Sequence, residues 1–305
     1  MTFKLKILGS NSAAPAHNRH QSAQLLQIEN QFILIDCGEG TQMQLKKYRA
    51  KARKISHIFI SHLHGDHYLG LVGLLSTMHL QGRKQDLHLY GPAPLAEIIT
   101  VHLRHSEMYF NYKVHFHALD LDKKELIMET NTLEVHAFPL QHRITCHGFI
   151  FQEKPKPYRI NKSVMPVNMK LEHIMKLKKG EDVYDEKGEL LYNASEMTFP
   201  PRRSRSYAYC SDTIFDPTLP LYFKGVDLLY HEATFLKDQA SRASDTFHST
   251  AEQAAMIAKD AEAGQLLLGH FSIRYKDLSP ILSEAKEVFR ASRLALEGET
   301  ITIDD

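Results

Sequence analysis

Apolar or β-branched runs recur along the chain at Phe3–Leu8, Ala23–Ile28, Phe32–Ile35, Ile55–Ile60, Leu87–Tyr90, Leu133–Phe138 and Gly148–Phe151, and each predicts a strand. Between and after them, apolar residues spaced three and four apart predict helices at Glu39–Tyr48, Tyr68–Leu80, Pro94–Arg104, Ser249–Ala263 and Pro280–Ser292. Strands and helices alternate at both ends of the chain, so the fold class is α/β.

The rhythm breaks between Gln152 and about Ser206. From Lys154 to Lys179 stand eight cations (Lys154, Lys156, Arg159, Lys162, Lys170, Lys176, Lys178 and Lys179) against one acid, Glu172, with Pro155, Pro157 and Pro166 and little apolar periodicity. This reads as an excursion from the core, which resumes at Tyr207-Ala208-Tyr209-Cys210.

Composition narrows the class without choosing a chemistry. The 305 residues are 43% hydrophobic and 24% charged, enough to bury a sizeable core. Met1–Lys6 lacks the apolar stretch of a signal peptide and no membrane-length apolar run occurs, so the expected location is the cytoplasm. Cys37, Cys146 and Cys210 are too scattered for a disulfide framework or a zinc knuckle. With a formal net charge of +1, a polyanionic partner must be held by a local patch. The anomaly is 19 histidines.

Position explains the most prominent of them. In Ser61-His62-Leu63-His64-Gly65-Asp66-His67, directly after Ile58-Phe59-Ile60, an extended backbone sends His62 and His64 to one side. A turn at Gly65 then aims Asp66 and His67 at a second locus. Packing such groups together in a partly dry site is costly unless a cation pairs with them. His142, Asp212 and His270 each follow an apolar strand and are the candidate remaining ligands, because strand ends place side chains accurately at the rim of a sheet. Imidazole with carboxylate suits Zn²⁺, with Mn²⁺ and Fe²⁺ as open alternatives, and three histidines with a shared carboxylate leave a coordination position for water.

These motifs, together with Leu8-Gly9-Ser10, Asp36-Cys37-Gly38-Glu39-Gly40-Thr41-Gln42, Ser211-Asp212-Thr213, His231-Glu232-Ala233-Thr234, His248-Ser249-Thr250 and Gly269-His270-Phe271-Ser272, resemble the metallo-β-lactamase superfamily and, within it, the ribonuclease Z family of tRNA 3′-maturing endonucleases. The resemblance runs over essentially the whole chain. It implies a four-layer αββα sandwich over 1–305 with residues 152–206 inserted as a basic arm that grips tRNA. It also implies two zinc ions per subunit, His62, His64 and His142 on one, Asp66, His67 and His270 on the other, and Asp212 bridging. A homodimer acting on precursor tRNA is implied as well, with Asp66 as the assigned proton acceptor. Two stretches depart from the family pattern: Met165–Met169 replaces Gly-Pro-rich turns in the arm, and Pro15–His20 replaces the loop that senses CCA.

For the chemistry, two nearby cations lower the pKa of water and neutralise the phosphate, so hydrolysis should leave a 3′-hydroxyl on the tRNA and a 5′-phosphate on the trailer. His248 is the candidate donor to the scissile phosphate or leaving oxygen, next to a helix start that favours anions, with Glu232 holding its other nitrogen. The bland alternative is a loop histidine near a helix cap. The eight cations of the insertion are the candidate phosphate contacts. The competing function is hydrolysis of a small ester, thioester or phosphodiester on the same scaffold, which has no use for a basic insertion.

Overall fold

The computed structural model describes residues 2–304. Two seven-stranded sheets stack face to face. In the first, the strands lie in the order Thr300–Thr302, Phe3–Gly9, Ala23–Ile28, Gln31–Ile35, Ile55–Phe59, Leu87–Pro92 and Val114–Leu119. The second runs Ser292–Leu294, Gln265–Gly269, Leu228–Glu232, Ser206–Cys210, Cys146–Glu153, Leu133–Leu140 and Glu125–Glu129. Each sheet is mixed: the last four strands of the first and the first four of the second are mutually parallel, and the rest is an antiparallel meander.

Alternating side chains of both sheets meet in a core that includes Phe3, Leu5, Phe59, Phe149, Phe151, Tyr207, Tyr209 and Tyr230. The opposite face of the first sheet is covered by helices Thr41–Lys47, Leu71–Leu80 and Pro94–His105, which bury Leu45, Leu74, Leu75 and Leu95. Helices Ala251–Asp260 and Ser279–Val288 cover the second through Ala254, Ala255, Ala258 and Ile281. The αββα expectation therefore holds, and it follows from strands that are apolar on both faces.

All seven strands expected from apolar runs form. Val114–Leu119 and Glu125–Glu129 are additional strands, hidden in the sequence because half-buried His115 and His117 and the acids Glu125 and Glu129 stand where a core strand carries apolar groups. Helices start or stop within a few residues of expectation, except that Tyr68–Leu80 is broken: a short turn Gly65–Tyr68 precedes Leu71–Leu80. The break packs tightly, since a Cβ on Gly70 would sit 2.2 Å from the Gly38 carbonyl oxygen.

The chain leaves the second sheet after Glu153 and re-enters at Ser206, where Ser206 pairs with Gln152 on the adjacent strand. The intervening segment is not the featureless excursion its sequence suggests. Strands Arg159–Ile160 and Thr198–Phe199 pair, helix Leu171–Lys178 and hairpin Val183–Tyr184/Leu190–Tyr192 follow, and Met169, Leu177, Val183, Ala194 and Met197 pack together as a small core of their own. Apolar periodicity is faint there because so few residues are buried. At its base, Arg205 bonds Glu153 twice, through Nη2 to Oε1 at 2.6 Å and Nε to Oε2 at 2.9 Å.

Candidate metal centre

The carboxyl ends of the parallel strands open at one rim, the place where α/β sheets present ligands. There the first sheet delivers His62, His64, Asp66 and His67 just past Ile55–Phe59, and the second delivers Asp212 past Ser206–Cys210 and His270 past Gln265–Gly269. His142 reaches the same rim because Leu133–Leu140 runs in the same direction as Ser206–Cys210, two strands away.

All seven expected donors converge, and they sort into the two loci read from the sequence. His62, His64, His142 and Asp212 offer ligand atoms within 4.8 Å of one another, and so do Asp66, His67 and His270. His64 Nδ1 lies 3.1 Å from His62 Nε2 and 3.0 Å from His142 Nε2. In the second group His270 Nε2 is 3.3 Å from both His67 Nε2 and Asp66 Oδ2. Asp212 stands between them: Oδ2 faces His62 Nε2 at 3.6 Å and His142 Nε2 at 3.9 Å, while Oδ1 faces His67 Nε2 at 3.4 Å and His270 Nε2 at 3.3 Å. Oδ1 is buried without a well-directed donor. A buried carboxylate oxygen aimed at imidazole nitrogens is unfavourable alone and favourable around a cation, so the donor set fits a metal.

The far side of three of the rings is held too, as is common for ligand histidines. His67 Nδ1 donates to Asp36 Oδ2 (2.7 Å), His142 Nδ1 to the Phe247 carbonyl (2.9 Å), and His270 Nδ1 lies 2.9 Å from Thr234 Oγ1. These contacts leave Nε2 of these three rings facing the centre. Asp36 and Thr234 appear in the sequence only inside longer motifs. No local signal marks Asp36 as a support, because its partner His67 is 31 residues away. His270 and Asp36 adopt φ of 58° and 54°, conformations costing about 1–3 kcal/mol for such residues that cluster at working sites. Gly38 is a glycine for a spatial reason: a Cβ there would meet the Asp66 carbonyl oxygen at 2.4 Å.

Burial holds the imidazoles of His62, His64 and His142 down, toward the neutral form that can ligate. Burial alone would raise the Asp212 carboxyl, but His270, His67 and His62 outweigh it and keep it well below the ordinary range. His67 is the exception among the rings. Burial opposes its charge, yet Asp212, Asp66 and Asp36 overcome that and hold its pKa well above the usual value. The three thiols are buried, and burial raises them out of reach of neutral-pH chemistry.

His248 borders the same rim, its Nδ1 2.8 Å from Glu232 Oε1. Glu232 also accepts from Thr213 N (3.0 Å) and Thr234 Oγ1 (2.6 Å), so it steadies His248 directly and His270 through Thr234. Burial would lower the His248 imidazole, but Glu232 and Asp212 raise it to about 9. The adjoining helix starts at Ala251, later than expected, behind a capping box in which Thr250 and Gln253 bond each other's backbone. The helix start is thus internally capped, and Glu232 is what orients His248.

Above the donors is an open cavity of about 370 Å³ bounded by Ser12, Ala13, Gln21, Leu69 and His248. A larger cleft of about 1000 Å³ lies between helices Thr41–Lys47 and Leu71–Leu80, but it contains none of the converging donors, so the chemistry belongs to the smaller one. The Pro15–His20 loop lies beside the smaller cavity. Ala13 N donates to Asp66 Oδ2 (2.7 Å), and Arg19 is engaged by Asn11 Oδ1 (3.0 Å) and the Tyr275 carbonyl (2.5 Å).

Of the eight cations in the insertion, Lys154 is tied to Glu129 and lies 3.9 Å from Glu134, and Lys156 is 2.7 Å from Glu153 Oε2. Both are half-buried at the base of the segment. Arg159, Lys162, Lys170, Lys176, Lys178 and Lys179 face solvent, Arg159 with its guanidinium over Phe199 and Lys170 3.7 Å from Glu172. Among the described residues no helix is long and apolar enough to cross a membrane.

The solved short form of human tRNase Z superposes with a TM-score of 0.71 at 29% identity, covering 99% of this chain and 100% of that one. The metallo-β-lactamase-fold protein YhfI from Bacillus subtilis follows at 0.70 and 20%, covering 98% of each chain, a likeness of fold alone. The family model described as Anti-Pycsar protein Apyc1 matches residues 3–277. Ribonuclease Z of Cytophaga hutchinsonii is 52% identical over 305 residues, covering 100% of this chain and 97% of its own, and that of Bacteroides fragilis is 43% identical over 99% of both. The chain belongs to the ribonuclease Z family, on the scaffold that the Apyc1 model also describes. Ribonuclease Z relatives thus match this chain from end to end, insertion included, and not merely through its histidine motif.

Proposed function

We infer that this ribonuclease Z family member is a metal-dependent endoribonuclease that cleaves precursor tRNA to remove its 3′ trailer. The observation that carries the reading is a full-length match at 52% identity to a ribonuclease Z in a chain whose seven candidate donors meet at one rim. His62, His64 and His142 would hold one zinc ion, Asp66, His67 and His270 a second, and Asp212 both. Bound there, the ions supply a water of lowered pKa and positive charge for the phosphate. Asp66, fixed by Ala13 N, orients and accepts the proton of the attacking water. His248, held protonated by Glu232, donates from Nε2 to a phosphate oxygen or the leaving 3′ oxygen of the adjoining nucleotide. Residues 152–206 act as the tRNA-gripping arm, with Arg159, Lys162, Lys170, Lys176, Lys178 and Lys179 meeting backbone phosphates and Lys154 and Lys156 bracing its base. The working form is a cytoplasmic homodimer.

Incubating the zinc-loaded protein with precursor tRNAs, with and without CCA, and mapping both new ends tests this. A 3′-hydroxyl on the tRNA and a 5′-phosphate on the trailer are expected, and a 5′-hydroxyl trailer would refute the mechanism. His248→Ala should lower kcat by about 10²-fold or more with zinc content unchanged. An unaltered rate would remove His248 from the reaction. One observation favours a second reading, hydrolysis of a small ester, thioester or phosphodiester: every candidate ligand lies outside residues 152–206, so the sandwich could work without the arm. Parallel assays with bis(p-nitrophenyl) phosphate, a thioester and precursor tRNA separate the two, the tRNA reading requiring the largest kcat/KM on RNA.

A further inference from the structure

The metal centre is divided between two sheets. His62, His64, Asp66 and His67 follow strands of the first, whereas His142, Asp212 and His270 follow strands of the second. Ligand atoms 3.0 to 3.6 Å apart across that divide demand that the two rims keep a fixed spacing, yet the apolar packing between the sheets is non-directional. Something directional must span the gap just beneath the ligands.

Beside a backbone bond from His147 N to the Ser61 carbonyl (3.0 Å), one such side-chain contact comes from Tyr209. It is fully buried on strand Ser206–Cys210 of the second sheet, three residues before Asp212, and its hydroxyl donates to Asp36 Oδ2 of the first sheet at 2.6 Å. The same oxygen accepts from His67 Nδ1 at 2.7 Å and Ser61 Oγ at 2.9 Å, and Asp36 Oδ1 takes Ser61 N at 2.8 Å. Ser61 precedes His62, so a single carboxylate ties the start of the histidine motif, the far side of the His67 ring and the second sheet into one buried network. Ser211 Oγ, beside Asp212, donates to Ser61 Oγ at 3.1 Å and closes it. A stacked Tyr230, 4.9 Å away between ring centroids, limits the freedom of the Tyr209 ring.

We propose that Tyr209 is a positioning residue for the metal centre, a cross-sheet strut that acts through Asp36 on His67. It touches neither ligand atoms nor substrate. The inference rests on the metal-dependent reading above, and the molecule contains its own control. Tyr207, two residues earlier on the same strand and equally buried, donates to Gln24 of the first sheet, a cross-sheet hydrogen bond of the same kind made farther from the rim.

The test is zinc affinity, measured by competition with a chromophoric chelator on the full chain, for wild type, Tyr209→Phe and Tyr207→Phe. Tyr209→Phe should weaken zinc binding by about 10- to 100-fold, the scale of losing an outer partner of a metal ligand, and lower kcat while leaving the KM for precursor tRNA unchanged. Tyr207→Phe should leave zinc affinity within about twofold. Equal affinity in wild type and Tyr209→Phe overturns the proposal. So does an equal loss in both variants, which would mean general loosening of the sheets. Asp36→Asn keeps the side-chain volume and removes the charge through which Tyr209 acts, so it must weaken zinc at least as much even if Tyr209→Phe fails to fold. Adding Tyr209→Phe to it should cost nothing further, since residues acting in series are not additive. If the wild type itself binds no zinc, the metal-dependent reading fails first and the proposal falls with it.

Discussion

Asp212→Ala should cut precursor-tRNA cleavage by about 10³-fold or more and deplete zinc at both loci together. Among the described residues, Asp212 is the carboxylate whose two oxygens face the two groups of histidines separately. The variant also leaves buried imidazoles without the carboxylate that opposes them. Elemental analysis alongside rate measurement checks this. Two zinc ions retained with a near-normal rate would show that Asp212 is not shared. The contrast with His248→Ala is informative, because that change should spare the metals and slow only the reaction.

The second large effect concerns recognition. Replacing residues 157–202 with a short Gly-Ser linker should raise the KM for precursor tRNA by about 10²-fold or more and flatten its salt dependence, while bis(p-nitrophenyl) phosphate is hydrolysed at the wild-type rate. A duplex contact contributes a slope of roughly −0.9 per neutralised phosphate, so losing the six candidate contacts together with the equally exposed Lys187 and Arg202 should be evident in a plot of affinity against salt. The cut points preserve the Glu153–Arg205 and Glu153–Lys156 pairs at the base of the segment. Breaking those would leave buried charge uncompensated and confuse misfolding with lost binding. Equal loss on both substrates would contradict a separate role for the segment.

Much of this was legible in the chain. Alternation around Leu63 and the turn at Gly65 set His62 and His64 apart from Asp66 and His67, as they stand in the two groups of donors, because strand and turn geometry are local. His142, Asp212 and His270 were found by one rule, that each ends an apolar strand. The internal order of residues 154–205 was not legible: five buried residues are too few to impose a period on a segment otherwise rich in charge and proline. The same poverty hid Val114–Leu119, whose His115 and His117 stack on His88 of the neighbouring strand, His117 also on Tyr90, and are only half-buried.

By itself, then, the sequence showed an α/β alternation, the seven candidate donors and the separation of His62 and His64 from Asp66 and His67, because each depends on spacing within one strand or turn, while the αββα class and the full grouping of the donors were implied by the family resemblance. Only the tertiary structure decided which oxygen of Asp212 faces which group, that Asp36 backs His67, and that Lys154 and Lys156 pair with acids at the base of the insertion. Each of these is a contact between elements brought together by the stacking of two sheets. Partners such as Asp36 and Tyr209, 173 residues apart, leave no periodic trace in either neighbourhood, and only burial against the opposing sheet brings a hydroxyl to a carboxylate.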